Sequence, residues 1–190
     1  SARTQKIGAT STAAVEEAAS SSANPVLRGN SLYTIVDGPA WTQAEANAVT
    51  LGGHLTAITS ASEYDYIGNE FSNYKYKSAG TLPSDFPNAL KLWIGLHDAG
   101  SAPGSFGSSR NWRWTTGEDY SYIAPGSETN TSNTGEPYVL SNFNIPSWVT
   151  GGIATNGFWQ DYPNTDADVN QGIAEIPLSL SITRQGEVKE

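Results

Sequence analysis

Glu128, Asn130, Glu136, Gln160 and Asp161 are the residues of this chain whose types and spacing best suit chemistry. They offer three carboxylates and two side-chain amide oxygens, all of them hard donors. Ca²⁺ takes about six to eight oxygen ligands, so the set leaves room for a backbone carbonyl and for hydroxyls of a bound molecule. Adjacent hydroxyls of a sugar could replace water on such an ion while hydrogen-bonding the same side chains.

Other chemistries lack their residues. The chain contains no Cys, which excludes thiol catalysis, thiolate metal sites and disulfides. It has no Gly-x-Ser-x-Gly elbow and no His-Glu-x-x-His pair, so nucleophilic and zinc catalysis find no support. The reading is a protein that is not an enzyme. A net charge of −9 argues against nucleic acid, whose phosphates need clustered Lys and Arg. No run of about 18 apolar residues is present to span a membrane. Asp166-x-Asp168-x-Asn170 resembles the start of an EF-hand loop. Its glycine, Gly172, comes one place late and Pro177 stands where the bidentate Glu belongs, so that reading is rejected. Asn130-Thr131-Ser132 is a glycosylation sequon, and a glycan there would block the proposed ligand. His54 reads as structural and His97 as exposed.

The elements that must position these residues come in a distinct order. Ser1 to about Asn30 is rich in Ala, Ser and Thr and reads as a linker or lead-in, 1–30, with 31–178 the domain and 179–190 a tail. Leu32 to Val36 is β-prone and ends at the turn Asp37-Gly38-Pro39. Thr42-Gln43-Ala44-Glu45 reads as a capping box that starts a helix, with Trp41, Ala44, Ala48 and Leu51 on one face and Gly52-Gly53 as its end. His54 to Ile58 is extended, with Leu55 and Ile58 buried. Ser60-Ala61-Ser62-Glu63 is a second capping box, and Tyr64, Ile67 and Phe71 give the helix after it an apolar face. Leu92 to Leu96, Asn111 to Trp114, Tyr138 to Leu140, Gly157 to Trp159 and Gly172 to Ile176 are strand candidates. Two early helices, short strands and a turn-rich stretch from Tyr120 to Asp168 predict an α+β domain rather than alternating βαβ units. A loop region this long inside a compact domain points to function.

In this order the motifs resemble the C-type lectin domain family, from about Leu32 to Ile176. Trp41-x-x-Ala44 opens the first helix, Gly52-Gly53-His54-Leu55 follows it, and Ser60-x-x-Glu63 opens the second. Trp93-Ile94-Gly95-Leu96 is similar to the family's Trp-Ile-Gly-Leu strand. Asn111-Trp112-Arg113-Trp114 with Thr116-Gly117 resembles its Trp-x-Trp-x-x-Gly segment. The resemblance implies two helices packed on small antiparallel sheets with a long loop region. It also implies where two disulfides would normally lie: Ala48 and Ala174 stand at one pair of cysteine positions, Tyr138 and Asn164 at the other. The chain therefore reads as a disulfide-free, bacterial type of the fold.

The family's lectin members hold sugar through a Ca²⁺ bound by Glu-Pro-Asn, a Glu six residues on, and Trp-Asn-Asp. Here Glu128-Thr129-Asn130, Glu136 and Trp159-Gln160-Asp161 match. The resemblance thus assigns Glu128, Asn130, Glu136, Gln160 and Asp161 to the metal, and Glu128, Asn130, Glu136 and Asp161 to the ligand. Two positions depart from the pattern. Thr129 replaces the Pro whose preceding bond is cis in lectin members, and Gln160 is one methylene longer than Asn. The family's auxiliary Ca²⁺ site is mostly absent, since only Asp98 fits while Ala102, Thr131 and Pro137 stand where acids belong. The Glu-x-Asn order resembles mannose-type lectins. The expected function is Ca²⁺-dependent carbohydrate binding in recognition or adhesion, secreted or at the cell surface. The alternative is a Ca²⁺-independent lectin-like module that binds a surface protein or builds a larger one. The long apolar stretch from Ser141 to Phe158 suits either a local core or a partner surface.

Overall fold

A computed structural model describes residues 25–72, 90–100, 111–127, 136–143, 157–165, 167 and 169–179. Within them the chain runs β1 (Val26–Arg28), β2 (Ser31–Asp37), α1 (Trp41–Thr50), β3 (His54–Leu55), α2 (Ala61–Phe71), β4 (Leu90–Asp98), β5 (Trp112–Trp114), β6 (Tyr138–Phe143), β7 (Phe158–Tyr162) and β8 (Gln171–Pro177). This is the α+β arrangement expected, with both helices early in the chain and five of the eight described strands after them. The strands join in one sheet of order β1-β2-β8-β4-β6-β7, with β3 on β8 and β5 on β4. The sheet is mixed: β4 and β8 meet in parallel at Trp93 and Gly172, whereas the other pairs are antiparallel. β1 lies inside the stretch read as lead-in. Its central residue, Leu27, is largely exposed, so no apolar alternation marks it.

The second helix forms as its sequence predicts. Ser60 caps it by accepting from Glu63 N at 3.2 Å. Glu63 does not return to Ser60 but accepts from Thr59 N and Thr59 Oγ1, which still ties down the entry to the helix. Tyr64, Ile67 and Phe71 are all buried. The first helix departs from expectation. It starts at Trp41 with Ala40 as N-cap and no side-chain cap of its own. Asn164, far along the chain, supplies the missing acceptors, its carbonyl to Trp41 N at 2.9 Å and its Oδ1 to Thr42 N at 3.1 Å. Glu45 is thereby spared from capping. It reaches His54 Nδ1 at 2.6 Å and accepts from Leu55 N at 2.8 Å, pinning β3 to α1.

Among the described residues the core forms two apolar clusters. The larger unites Tyr33, Ile58, Ile67, Leu92, Ile94, Trp114, Val139 and Trp159 between α2 and the sheet. The smaller holds Trp41, Ala44, Ala48, Leu55, Trp93, Leu140 and Ala174 beneath α1. Ala48 and Ala174 are both completely buried within it, so the residues at one expected cysteine pair share a core. The other pair serves α1 as well. Tyr138 stacks on Trp41 at 4.5 Å between ring centroids, and Asn164 provides the cap just described.

These contacts lead to two expected outcomes. Asn164→Ala removes the only side-chain acceptor at the start of α1 among the described residues. It should lower stability by about 1 kcal/mol in urea denaturation. The double substitution Ala48→Cys with Ala174→Cys should form a disulfide on oxidation. It should stabilise the oxidised protein by about 2–4 kcal/mol over its reduced form, measured as a rise in Tm.

Candidate functional site

Of the candidate site residues, Gln160 and Asp161 are mounted on the β6–β7 pair. Val139 pairs with Asp161, Leu140 with Gln160 and Tyr138 with Tyr162. Strand alternation sends Trp159 and Asp161 to one face and Gln160 and Tyr162 to the other. Trp159 is fully buried and meets Trp114 and Tyr122 edge-to-face at 5.5 and 6.0 Å, so it is a core residue. Asp161, on the same face and only 4% exposed, is a buried carboxylate on an edge strand.

Gln160 is half-buried on the opposite face. Its Oε1, the atom it would offer a cation, accepts from Asn142 Nδ2 at 3.0 Å. Asn142 is fully buried and also donates to Phe158 O, which fixes the direction of the Gln160 amide.

Glu136 is half-buried and stands just before β6. Its neighbour Pro137 accepts from Asp98 N at 2.8 Å, which holds this entry against the end of β4. Asp98, the acid that matched an auxiliary Ca²⁺ position, is buried. Its Oδ1 accepts from Gly100 N and Asn111 N, both at 3.0 Å, and so closes the base of the loop between β4 and β5. Glu128 and Asn130 lie outside the described residues, as do Thr129, Thr131 and Ala102. Most of the Ser141 to Phe158 stretch lies outside them too.

Ser127 is a positioning residue that sequence reasoning missed. Ala124-Pro125-Gly126-Ser127 closes a turn, with Ser127 N on Ala124 O and Gly126 at φ 74°. Ser127 Oγ then accepts from Trp159 N at 3.0 Å. The residue preceding Glu128 is thus bonded to the strand that carries Gln160 and Asp161. The Pro-Gly pair signals the turn, but nothing local signals its partner.

Chemically, the described part of the site offers oxygen donors, which fit Ca²⁺ by type. Among the described residues no three His, Asp or Glu side chains gather closely enough to hold a metal ion. A cation here would need donors beyond Glu136, Gln160 and Asp161. The phenol of Tyr138, at the same end of β6, is raised above its ordinary value by burial.

No family model matches the chain. A rat protein, C-type lectin domain family 4 member F, is 28% identical over 97 residues, covering 51% of this chain and 14% of that protein. The chain thus spans a small part of its curated relative. Among solved structures, the cow C-type carbohydrate-recognition domain of CD23, crystallised in the presence of a GlcNAc2Man3 oligosaccharide, aligns with a TM-score of 0.54. It is 19% identical over 82% of this chain and 94% of its own. This chain has the C-type-lectin-like fold. A calcium-independent type II antifreeze protein shares the fold at a TM-score of 0.50 and 23% identity, over 82% and 92% of the two chains. The lectin-like fold therefore carries both a carbohydrate-recognition domain and a calcium-independent protein, and the site must decide between them. No helix among the described residues is long and apolar enough to cross a membrane.

Ser127→Ala deletes the bond between the site loop and β7. It should lower stability by about 1 kcal/mol in urea denaturation and leave the far-ultraviolet circular dichroism unchanged.

Proposed function

We propose that this domain is a carbohydrate-binding module of the lectin type, with Ca²⁺ held by Glu128, Asn130, Glu136, Gln160 and Asp161. The observation that carries the reading is Asp161, a carboxylate 4% exposed on an edge strand. Strand pairing with Val139 holds this hard oxygen donor at a fixed place. It stands on the strand to which Ser127 ties the start of the Glu128 loop. When bound, Ca²⁺ supplies open coordination positions for paired sugar hydroxyls. The chain's own residues then position and select: Glu128, Glu136 and Asp161 accept hydrogen bonds from those hydroxyls, and the Asn130 amide NH2 donates to one. The Glu-x-Asn order favours mannose-type sugars. A secreted or surface module used in recognition or adhesion follows from the same reading, and the cysteine-free composition is compatible with a bacterial source.

A second reading has its own observation. Gln160 Oε1 is already engaged by Asn142, and a calcium-independent protein shares the fold. On that reading the domain binds a surface protein or serves as a structural module without the ion.

Calorimetry separates the two. The first reading expects a saturable heat with CaCl₂, mannose binding only in its presence, and complete loss with chelator. Asp161→Ala should weaken Ca²⁺ by at least about tenfold. No Ca²⁺ heat, with no signal on a glycan array, would overturn it. The second reading expects partner binding indifferent to chelator and to Asp161→Ala.

A further inference from the structure

Helix α2 is joined to the sheet by a polar contact set beneath its first turn. Tyr33 of β2 places its hydroxyl 2.8 Å from Glu63 Oε1 and 3.1 Å from Glu175 Oε1. Tyr33 is 1% exposed and Glu63 8%. A phenol owns one proton and donates once. The second carboxyl oxygen must bring a proton of its own, or press a negative charge against a lone pair in a poorly solvated place.

The remaining contacts say which carboxyl brings it. Glu63 faces groups that can only donate: Thr59 N at 3.0 Å on Oε2, and the Arg28 guanidinium at 3.4 Å on Oε1. Thr59 Oγ1 adds a hydroxyl at 3.2 Å. Glu63 is therefore the carboxylate. Glu175 faces hydroxyls, from Tyr33, from Thr56 at 3.3 Å and from Ser31. A hydroxyl accepts as readily as it donates, so each can accept a hydrogen bond from a protonated Glu175. Burial is the largest influence on Glu175 and pushes its carboxyl above the ordinary range. The Glu63 charge adds to this, while the hydroxyl contacts oppose it without reversing it. Burial, with the nearby acids, also holds the Tyr33 phenol far above its ordinary value, so Tyr33 keeps its own proton. The other charged neighbours are accounted for. Arg28 of β1 pairs with Glu63, and His54, across from Glu175 on β3, is paired with Glu45 of α1.

We propose that Tyr33, Glu63 and Glu175 form a proton-held latch, in which a proton kept on Glu175 joins α2 to β2 and β8 and its loss loosens that junction. The folded state binds this proton more tightly than the unfolded chain does. The latch therefore contributes fully below the free-glutamate range, and its contribution is lost as pH rises through the folded value. It shares no residue with the proposed Ca²⁺ site, so either can fail alone.

The test is a carboxyl-carbon NMR titration of the full chain, with Tm recorded from about pH 4 to about pH 9, across and above the free-carboxyl range. One Glu resonance should titrate above that range and disappear in Glu175→Gln, whose amide mimics the protonated acid. Glu63→Gln should move that resonance back down, because it removes the neighbouring charge. The latch should show as a fall in wild-type Tm with rising pH across this window, and Glu175→Gln should remove that fall. A Glu175 resonance within or below the free range overturns the proposal, and so does a wild-type pH slope that survives Glu175→Gln.

Discussion

The seating of Leu55 is the constraint on which the rest of this domain depends. Its side chain is fully buried in the cluster beneath α1, and full burial of a leucine contributes about 1.5–3 kcal/mol. Its backbone is bonded on both sides, N–H to Glu45 of α1 and carbonyl to Thr115 Oγ1 beyond β5. Three glycines let the neighbouring chains close on this point. A Cβ on Gly95 would come within 2.3 Å of the Leu55 carbonyl, and one on Gly172 within 2.6 Å of Leu55 Cδ2. A Cβ on Gly53 would meet the Glu175 carbonyl at 2.1 Å. The approach of β3, β4 and β8 thus requires bare backbone at these positions. It also explains why Trp93-Ile94-Gly95-Leu96 carries its glycine in the middle of a buried strand, where glycine otherwise weakens pairing.

Strand β8 turns that local constraint into a global one. It comes last in the described chain, yet pairs with β2 along seven registered residues, with β3, and with β4 at Gly172. The contacts that close the domain are therefore distant in sequence, and closure of so long a chain is unfavourable in entropy. A disulfide would reduce that entropy in the unfolded state. Here the work falls to packing and hydrogen bonds at the same places. Ala48 of α1 and Ala174 of β8 sit in one core, while Tyr138 and Asn164 hold the first turn of α1 through a stacked ring and two accepted N–H groups. All four residues bind α1 to strands or loops late in the chain, so this helix adds to the closure that β8 makes through its strand pairing.

What could be read from the sequence follows from the range of each interaction. The apolar faces of both helices and the cap at Ser60 depend on neighbours three or four residues away, and the core strands show as short apolar runs, so they were legible. The start of α1 was misread because Thr42-Gln43-Ala44-Glu45 satisfies the local rule while a residue 122 positions later supplies the cap. Glu45 was free to bind β3, which no local rule predicts. β1 was missed because a three-residue edge strand, exposed at its central Leu27, is too short for an apolar period to reveal it. At the site, Trp159, Gln160 and Asp161 were legible as a motif. Ser127 and Asn142 were not, since each acts through a partner on another strand or loop. The Tyr33–Glu63–Glu175 contact was invisible for the same reason, its acids being far apart in sequence and its proton count a matter of distance.

The site also shows how one frame can serve two kinds of function. Its rigid half is made by strand pairing: β6 and β7 set the direction of Asp161, Asn142 sets that of Gln160, and Pro137 anchors the chain beside Glu136. Groups held this way lose little freedom when a ligand arrives, which favours binding of whatever ligand completes the set. None of these anchors requires a cation. The strand register is fixed by the core residues Val139, Trp159 and Leu140, and the Gln160 amide by a hydrogen bond within the protein. The frame would survive a change of donors at Glu128 and Asn130. On the proposed reading, selectivity for an ion and a sugar, or for neither, then rests with the oxygens of Glu128 and Asn130.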